Sequence, residues 1–252
     1  MQSGHHNGHR RVLDADYSKM SLNERLAFLV EGRKNPVFTT SLGIEDQVLT
    51  AALSVAAPMV RIVTLETGRL FDETMALIDE TQERYGITIE RFRPDEARLA
   101  DYAAHYGMNG FDESVAARHA CCGVRKLEPL ARALSGADLW ITGLRRGQSA
   151  TRSSADFIEY DAERQLLKAN PLADWSIEDI KSHVAGHAIP VNPLHARGYP
   201  SIGCEPCTRA IKPGEDERAG RWWWENDEQR ECGLHVAQEG EQPSVQASAV
   251  NG

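Results

Sequence analysis

"PVFTTSLGIEDQVLTAALSVAA", residues 36–57, decides how the chain is read. It opens with a β-favouring run, PVFTT, turns through the polar SLGIED with Gly43, and continues in the helical pattern of QVLTAALSVAA. The result is a strand, loop and helix unit, and the unit recurs. MVRIVTL (59–65) reads as a buried strand, FDETMALIDETQERYG (71–86) as a helix with acids in its first turn and Gly86 at its end, and ITIERF (87–92) as a further strand. Alternation of this kind predicts an α/β fold with a parallel sheet.

Working outward, SLNERLAFLVEGRK (21–34) has Ser21 and Glu24 in capping-box spacing and sets Leu22, Leu26, Leu29 and Val30 on one helical face. EARLADYAAHYG (96–107) is helix-like, after which the regularity lapses across MNGFDESVAARHACCGVRK (108–126). The strand DLWITGL (138–144) restores it. A polar, hairpin-like stretch spans about 153–168, and SIEDIKSHVAGH (176–187) adds a helix with Ser176 and Asp179 in capping-box spacing. From Ile189 onward the chain is crowded with Pro, Gly and charge, which predicts a loop-rich C-terminal segment folded over the main domain.

At 252 residues with 41% hydrophobic and 26% charged side chains, the chain has the composition of a globular protein, without an apolar run of membrane-spanning length. Its N-terminus, rich in Gly and His, has no apolar core of a secretory signal, so a cytoplasmic, reducing setting is expected. The net charge of -9 argues against a nucleic-acid or membrane partner, although local cations can still hold a small anion.

Three features carry chemistry. Ser41 and Gly43 stand where a strand ends and a helix begins, so backbone N–H groups and the helix dipole can receive an anion there. The loop is not a Walker A sequence, and one glycine is equally compatible with a plain structural turn. Cations gather in GLRRGQSATR (143–152), with Arg145, Arg146 and Arg152, and in RAIKPGEDERAGR (209–221), with Arg209, Lys212, Arg218 and Arg221. Arginine forks suit phosphate and sulfate oxygens, but interleaved acids also fit a solvated surface. Trp222, Trp223 and Trp224 are expected to pack the C-terminal segment onto the body rather than stack on a base.

The five cysteines form the third feature: the vicinal Cys121 and Cys122, the C-x-x-C pair Cys204 and Cys207, and the single Cys232. An odd count in a reducing setting argues against a disulfide framework. Either pair alone is compatible with buried small hydrophobes or a redox pair. Together they would offer four thiolates, the ligand set of zinc or of an iron–sulfur cluster. Adjacent cysteines diverge unless the backbone bends, so they reach separate irons more readily than one small ion, which favours [4Fe-4S]. Lys126, one helical turn past Cys122 if that stretch is helical, is compatible equally with offsetting cluster or substrate charge and with a plain exposed lysine.

TSLGIEDQVL, LETGRLFDET, CCGVRK, TGLRRGQS, GCEPCT, GEDERAGRWWW and ECGLH, in this order from about residue 20 to 236, closely resemble the assimilatory adenylyl-sulfate (APS) reductases of the phosphoadenylyl-sulfate (PAPS) reductase family. The resemblance implies an adenine-nucleotide α-hydrolase-like (PP-loop) parallel-sheet sandwich. It implies that the loop with Ser41, Gly43, Glu45 and Asp46 holds the phosphosulfate end of the substrate, and that Lys126, Arg145, Arg146, Arg218 and Arg221 surround the sulfate. It also implies that Cys121, Cys122, Cys204 and Cys207 ligate a [4Fe-4S] cluster, a set that PAPS-using members generally lack, so that the substrate is APS. Glu66 stands where the family commonly has Asp, and Leu42 where it often has an aromatic residue or Ser.

Attack on sulfur in a mixed anhydride suits a thiolate, and Cys232, left without a metal, is the expected nucleophile; His235, three residues on, is compatible with polarising it, with contacting substrate or with a surface position. Thioredoxin is the expected reductant, and a segment that opens and closes would let one cysteine meet both partners. The expected organisation is a disordered tail (1–16), an α/β nucleotide-binding domain (17–203) with the Cys121–Cys122 insertion, a cluster-binding and catalytic-Cys segment (204–236) and a second tail (237–252). A PAPS reductase, an RNA-thiolating iron–sulfur enzyme and a zinc-stabilised non-enzymatic module are the alternatives. An RNA enzyme would want a basic face and an S-G-G-x-D-S-type loop, against which SLGIED and the charge of -9 both speak.

Overall fold

A computed structural model describes residues 16–225. Six strands form one sheet in the order β3-β2-β1-β4-β6-β5: β1 Pro36–Thr40, β2 Arg61–Leu65, β3 Ile89–Phe92, β4 Leu139–Ile141, β5 Ile158–Asp161 and β6 Leu166–Ala169. All neighbours run parallel except β5, which pairs antiparallel with β6 at the edge. The expected polar hairpin therefore joins the main sheet. The helices are α1 Leu22–Val30, α2 Ile44–Ala56, α3 Asp72–Tyr85, α4 Glu96–Tyr106, α5 Val115–Cys122, α6 Glu128–Ala133 and α7 Ile177–His187. None among the described residues is long and apolar enough to cross a membrane.

Side-chain alternation along the strands splits the core. Phe38, Ile62, Leu139 and Ile141 pack with α1, α2 and α7 through Leu26, Leu49, Leu53 and Ile180. Val37, Val63 and Trp140 face the opposite way, onto Leu130, Ala133 and Leu134 of α6 and its C-terminal end. A sheet buried on both faces needs this alternation to be apolar on both sides. The two capping boxes form as expected, with Ser21 Oγ accepting from Glu24 N and Ser176 Oγ from Asp179 N.

The lapse expected at 108–126 is instead ordered. Gly110–Asp112 is a 3₁₀ turn, α5 starts at a Ser114 cap, and a π-helical turn over Gly123–Leu127 leads into α6. Its inward face carries Arg118, Cys121, Cys122, Arg125 and Lys126, so an apolar period is missing although the helix is buried. The widened turn begins directly after the cysteine pair, and π turns of this kind commonly mark functional sites. Between Ile189 and Glu225 only two short 3₁₀ turns occur, and this stretch is fixed to the body by Glu205 N donating to Arg69 O and a bridge between Leu70 and Cys204.

The chain moves outward from β1 through β2 to β3, then returns to lay β4 on the other side of β1. At such a switch point the loops after the two central strands diverge and leave a crevice at their C-terminal ends. Arg25 supports the frame beneath it. It is 3% exposed, its Nη1 and Nη2 hold both oxygens of Asp174 at 2.6 and 2.9 Å, and further N–H groups reach the carbonyls of Ser18, Met20 and Pro171. Arg25→Met is expected to cost about 3 kcal/mol in urea denaturation, because three carbonyls and a carboxylate lose their donor together. A loss under about 1 kcal/mol would contradict this role.

Candidate active site

The crevice holds a cavity of about 200 Å³. It is lined by Thr39 and Thr40 at the end of β1, Ser41 and Gly43 after it, and Thr142, Gly143 and Leu144 after β4, and also by Pro200–Cys204 and by Glu217, Arg218, Arg221 and Trp222. The Ser41 N–H and Oγ–H both donate to Asp46 Oδ2, at 2.6 and 2.7 Å, and Gly43 N–H donates to Ser41 Oγ at 3.3 Å. Leu42, wedged between them, adopts φ +59° with its side chain fully buried. For a non-glycine residue this left-handed conformation is strained and persists only where surrounding contacts impose it. Gly43 is the N-cap of α2 and provides no side chain to its first turn. The open N–H groups there, with the helix dipole, suit an anion.

Asp46 is itself tightly enclosed. A Cβ on Gly143 would lie 2.0 Å from its Oδ1, so the β4 loop approaches this carboxylate only because residue 143 is a glycine. The Asp46 carboxyl is raised to about 6: burial lifts it most, the Ser41 hydrogen bonds and Arg152 work against this, and the neighbouring Glu45 adds to it.

The expected substrate residues divide. Ser41, Gly43, Glu45, Asp46, Lys126, Arg218 and Arg221 line the cavity. Arg145 and Arg146 do not. Arg145 is 1% exposed and pairs with Glu45 at 2.8 Å and Glu217 at 3.3 Å, so it braces the loop against the C-terminal segment. Arg146 Nε donates to Ala155 O at 2.7 Å, with its guanidinium over the Phe157 ring. Arg152, from the same cationic run, faces the cavity instead, together with Gln148 and the threonines 39, 40, 64, 67, 74 and 142. The threonines carried no separate signal, since β-branched residues at and just past strand ends read simply as strand and Thr74 sits within the run expected to be helical. Glu66 turns away and pairs with Arg93 at 2.9 Å. Cys232 and His235 lie outside the described residues.

Behind the cavity, Cys121, Cys122, Cys204 and Cys207 are buried free thiols. They line one narrow pocket with Arg69, Phe111, Arg118, Arg125, Lys126, Pro206 and Trp222. Lys126, Cys204 and Trp222 line both spaces, so the two are back to back. Cys204 Sγ lies 3.2 Å from Thr67 Oγ1. Burial alone would raise the Cys204 thiol, but Lys126, the Thr67 hydroxyl, Arg221 and Arg125 together draw it below its ordinary value. Burial, with the charge of Cys204 beside it, pushes Cys207 up to about 11. No group of three or more His, Cys, Asp or Glu side chains among the described residues is arranged to hold a metal ion. Trp222, fully buried at φ +43°, has Arg118 and Arg221 over its ring at 4.8 and 4.6 Å, and Arg118 grips Glu225 through two hydrogen bonds of 2.7 Å.

The Asp46 carboxyl gives a test of this packing. A carboxyl raised on folding contributes stability that is full below about pH 4 and is lost as pH rises through about 6. Asp46→Asn, which keeps the shape and cannot ionise, is therefore expected to gain stability relative to the unaltered chain between those values. Urea midpoints measured across that range check it, and a difference that stays constant with pH would contradict the enclosed carboxyl.

Residues 35–210 match the family model described as the phosphoadenosine phosphosulfate reductase domain. Adenosine 5'-phosphosulfate reductase of Agrobacterium fabrum is 65% identical over 93% of this chain and 90% of its own length. The protein of the same name from Sinorhizobium fredii is 64% identical over 90% and 91%, and that from Allochromatium vinosum 56% identical over 79% and 78%. In structure, the phosphoadenylyl-sulfate reductase of Candida auris, solved as a phosphate complex, superposes with a TM-score of 0.70 over 84% of this chain and 98% of its own, at 24% identity. That likeness shows that the two chains share a fold. On these grounds the chain belongs to the phosphoadenosine phosphosulfate reductase family, within its adenosine 5'-phosphosulfate reductases.

Proposed function

We propose that this chain reduces adenosine 5'-phosphosulfate to sulfite and AMP as part of sulfate assimilation. The names of its relatives support the substrate. The observation that carries the reading is the pairing of two spaces: an anion-receiving crevice and a pocket of four free thiols, joined through Lys126, Cys204 and Trp222.

The thiol pocket fits a [4Fe-4S] cluster by its donor chemistry. Cys121, Cys122, Cys204 and Cys207 are all free and buried, and Lys126, Arg221 and Arg125 act on Cys204 to offset the charge that thiolates bring. When bound, the cluster would supply fixed charge and rigidity beside the substrate. The electrons come from thiols.

In the crevice, the α2 N-terminus with Ser41 and Gly43 would receive the phosphate, while Lys126, Arg152, Arg218 and Arg221 would draw charge from the sulfuryl oxygens and make its sulfur electrophilic. Arg145 and Arg146 act at one remove, bracing the walls. The Cys232 thiolate attacks the sulfur; an S–S bond forms, the S–O bond to the phosphate breaks, and AMP leaves with that electron pair. A thiolate of a dithiol protein, thioredoxin, then attacks Cys232 Sγ. The bond to the sulfonate breaks and sulfite departs with its electron pair. The second thiol of the reductant resolves the mixed disulfide and returns Cys232 as thiolate. A reducing compartment such as the cytoplasm suits both steps. His235, three residues from Cys232 in sequence, is the candidate to assist the thiol.

Anaerobic incubation with APS carrying labelled sulfur, without reductant, is expected to place label on the unaltered chain and none on Cys232→Ser. Both proteins should contain about four iron and four sulfide per chain. Label retained on Cys232→Ser would overturn the nucleophile, and zinc in place of iron would overturn the cluster.

A further inference from the structure

Arg221 differs from three of the other four buried arginines among the described residues; the fourth, Arg125, also has an unpartnered Nε there, but its Nη1 donates to Thr67 O and it does not line the crevice. Arg25, Arg118 and Arg145 each hold a carboxylate. Arg221 is only 6% exposed, lies against the Trp222 ring and lines the crevice, yet its Nε finds no hydrogen-bond partner among the described residues. A desolvated guanidinium in that position is a receptor for an anion.

What sets its position is a residue without a side chain. A Cβ on Gly203 would lie 2.2 Å from Arg221 Nη2, 2.5 Å from Cζ and 2.9 Å from Nη1. Gly203 is not among the glycines with positive φ, so its backbone conformation is open to other residues and only space forbids them. The atoms in the way belong to the far end of a flexible side chain. A methyl group at residue 203 would therefore move the guanidinium rather than the backbone.

The geometry points to Gly203 as a positioning residue that seats the Arg221 guanidinium in the crevice, and through it sets the preference for a ligand bearing a second anionic group beyond its first phosphate. This rests on the crevice being the nucleotide site. The α2 N-terminus and the Gly203–Arg221 contact are separate parts of the same cavity lining, the first assigned to the inner phosphate and the second to the outer group.

AMP and ADP, which differ by one outer anionic group, separate these roles in calorimetric titrations. Gly203→Ala is expected to bind ADP about tenfold more weakly, the scale of a lost hydrogen bond to a charged group, while its affinity for AMP changes by less than about twofold. Arg221→Ala should do the same, and Gly203→Ala/Arg221→Ala should be no weaker than Arg221→Ala alone. Equal weakening of AMP and ADP, or a further tenfold loss in the double variant, would overturn the role of Gly203. Failure of the unaltered chain to bind either nucleotide would overturn the reading of the crevice itself. If Gly203→Ala melts early, recovery of the melting temperature in the double variant supports the contact, and no recovery overturns it.

Discussion

Asp46 stands where sheet, loop and crevice meet. Its Oδ2 takes the Ser41 N–H and hydroxyl, and its Oδ1 rests where only a glycine at residue 143 leaves room. One carboxylate thereby bonds the loop after β1 and packs closely on the loop after β4, the two central strands on either side of the topological switch. The strained backbone at Leu42 is the cost of this closure, and the same bonds that enforce it leave the first turn of α2 open toward the crevice. Without these contacts the strands would still pair. The anion site between them would lose its shape.

The rest of the crevice lining depends on the C-terminal stretch, which has little secondary structure and is held by specific contacts. Leu70 bridges to Cys204, Arg69 O accepts from Glu205 N, and Arg118 grips Glu225 with both groups nearly inaccessible. A buried pair of this kind adds little net stability but is costly to break from one side, which makes it a device for fixing one arrangement. Here it fixes Trp222, whose ring carries Arg118 on one contact and Arg221 on another. Thiol pocket and crevice consequently share Lys126, Cys204 and Trp222.

Local signals made the frame legible. Both capping boxes, the strand and helix alternation and the glycine at the end of α3 were readable because each depends on residues within one or two turns. The cysteine pairs were readable because thiols are few and their chemistry narrow. What the sequence hid was long-range. The helix carrying Cys121 and Cys122 buries arginines and a lysine, so its periodicity is not apolar. Arg145 and Arg146 announce charge without saying that Glu45, a hundred residues away, and the Ala155 carbonyl already occupy them. Gly143 and Gly203 look like turn residues, and their need for space appears only when Asp46 and Arg221 are set beside them.

The central claim is that crevice and thiol pocket together serve the reduction of APS, and an anaerobic assay with thioredoxin measures it most directly. Sulfite and AMP should appear in equal amounts from APS, with PAPS turned over far more slowly. Absence of sulfite from APS, or faster turnover of PAPS, would contradict the account.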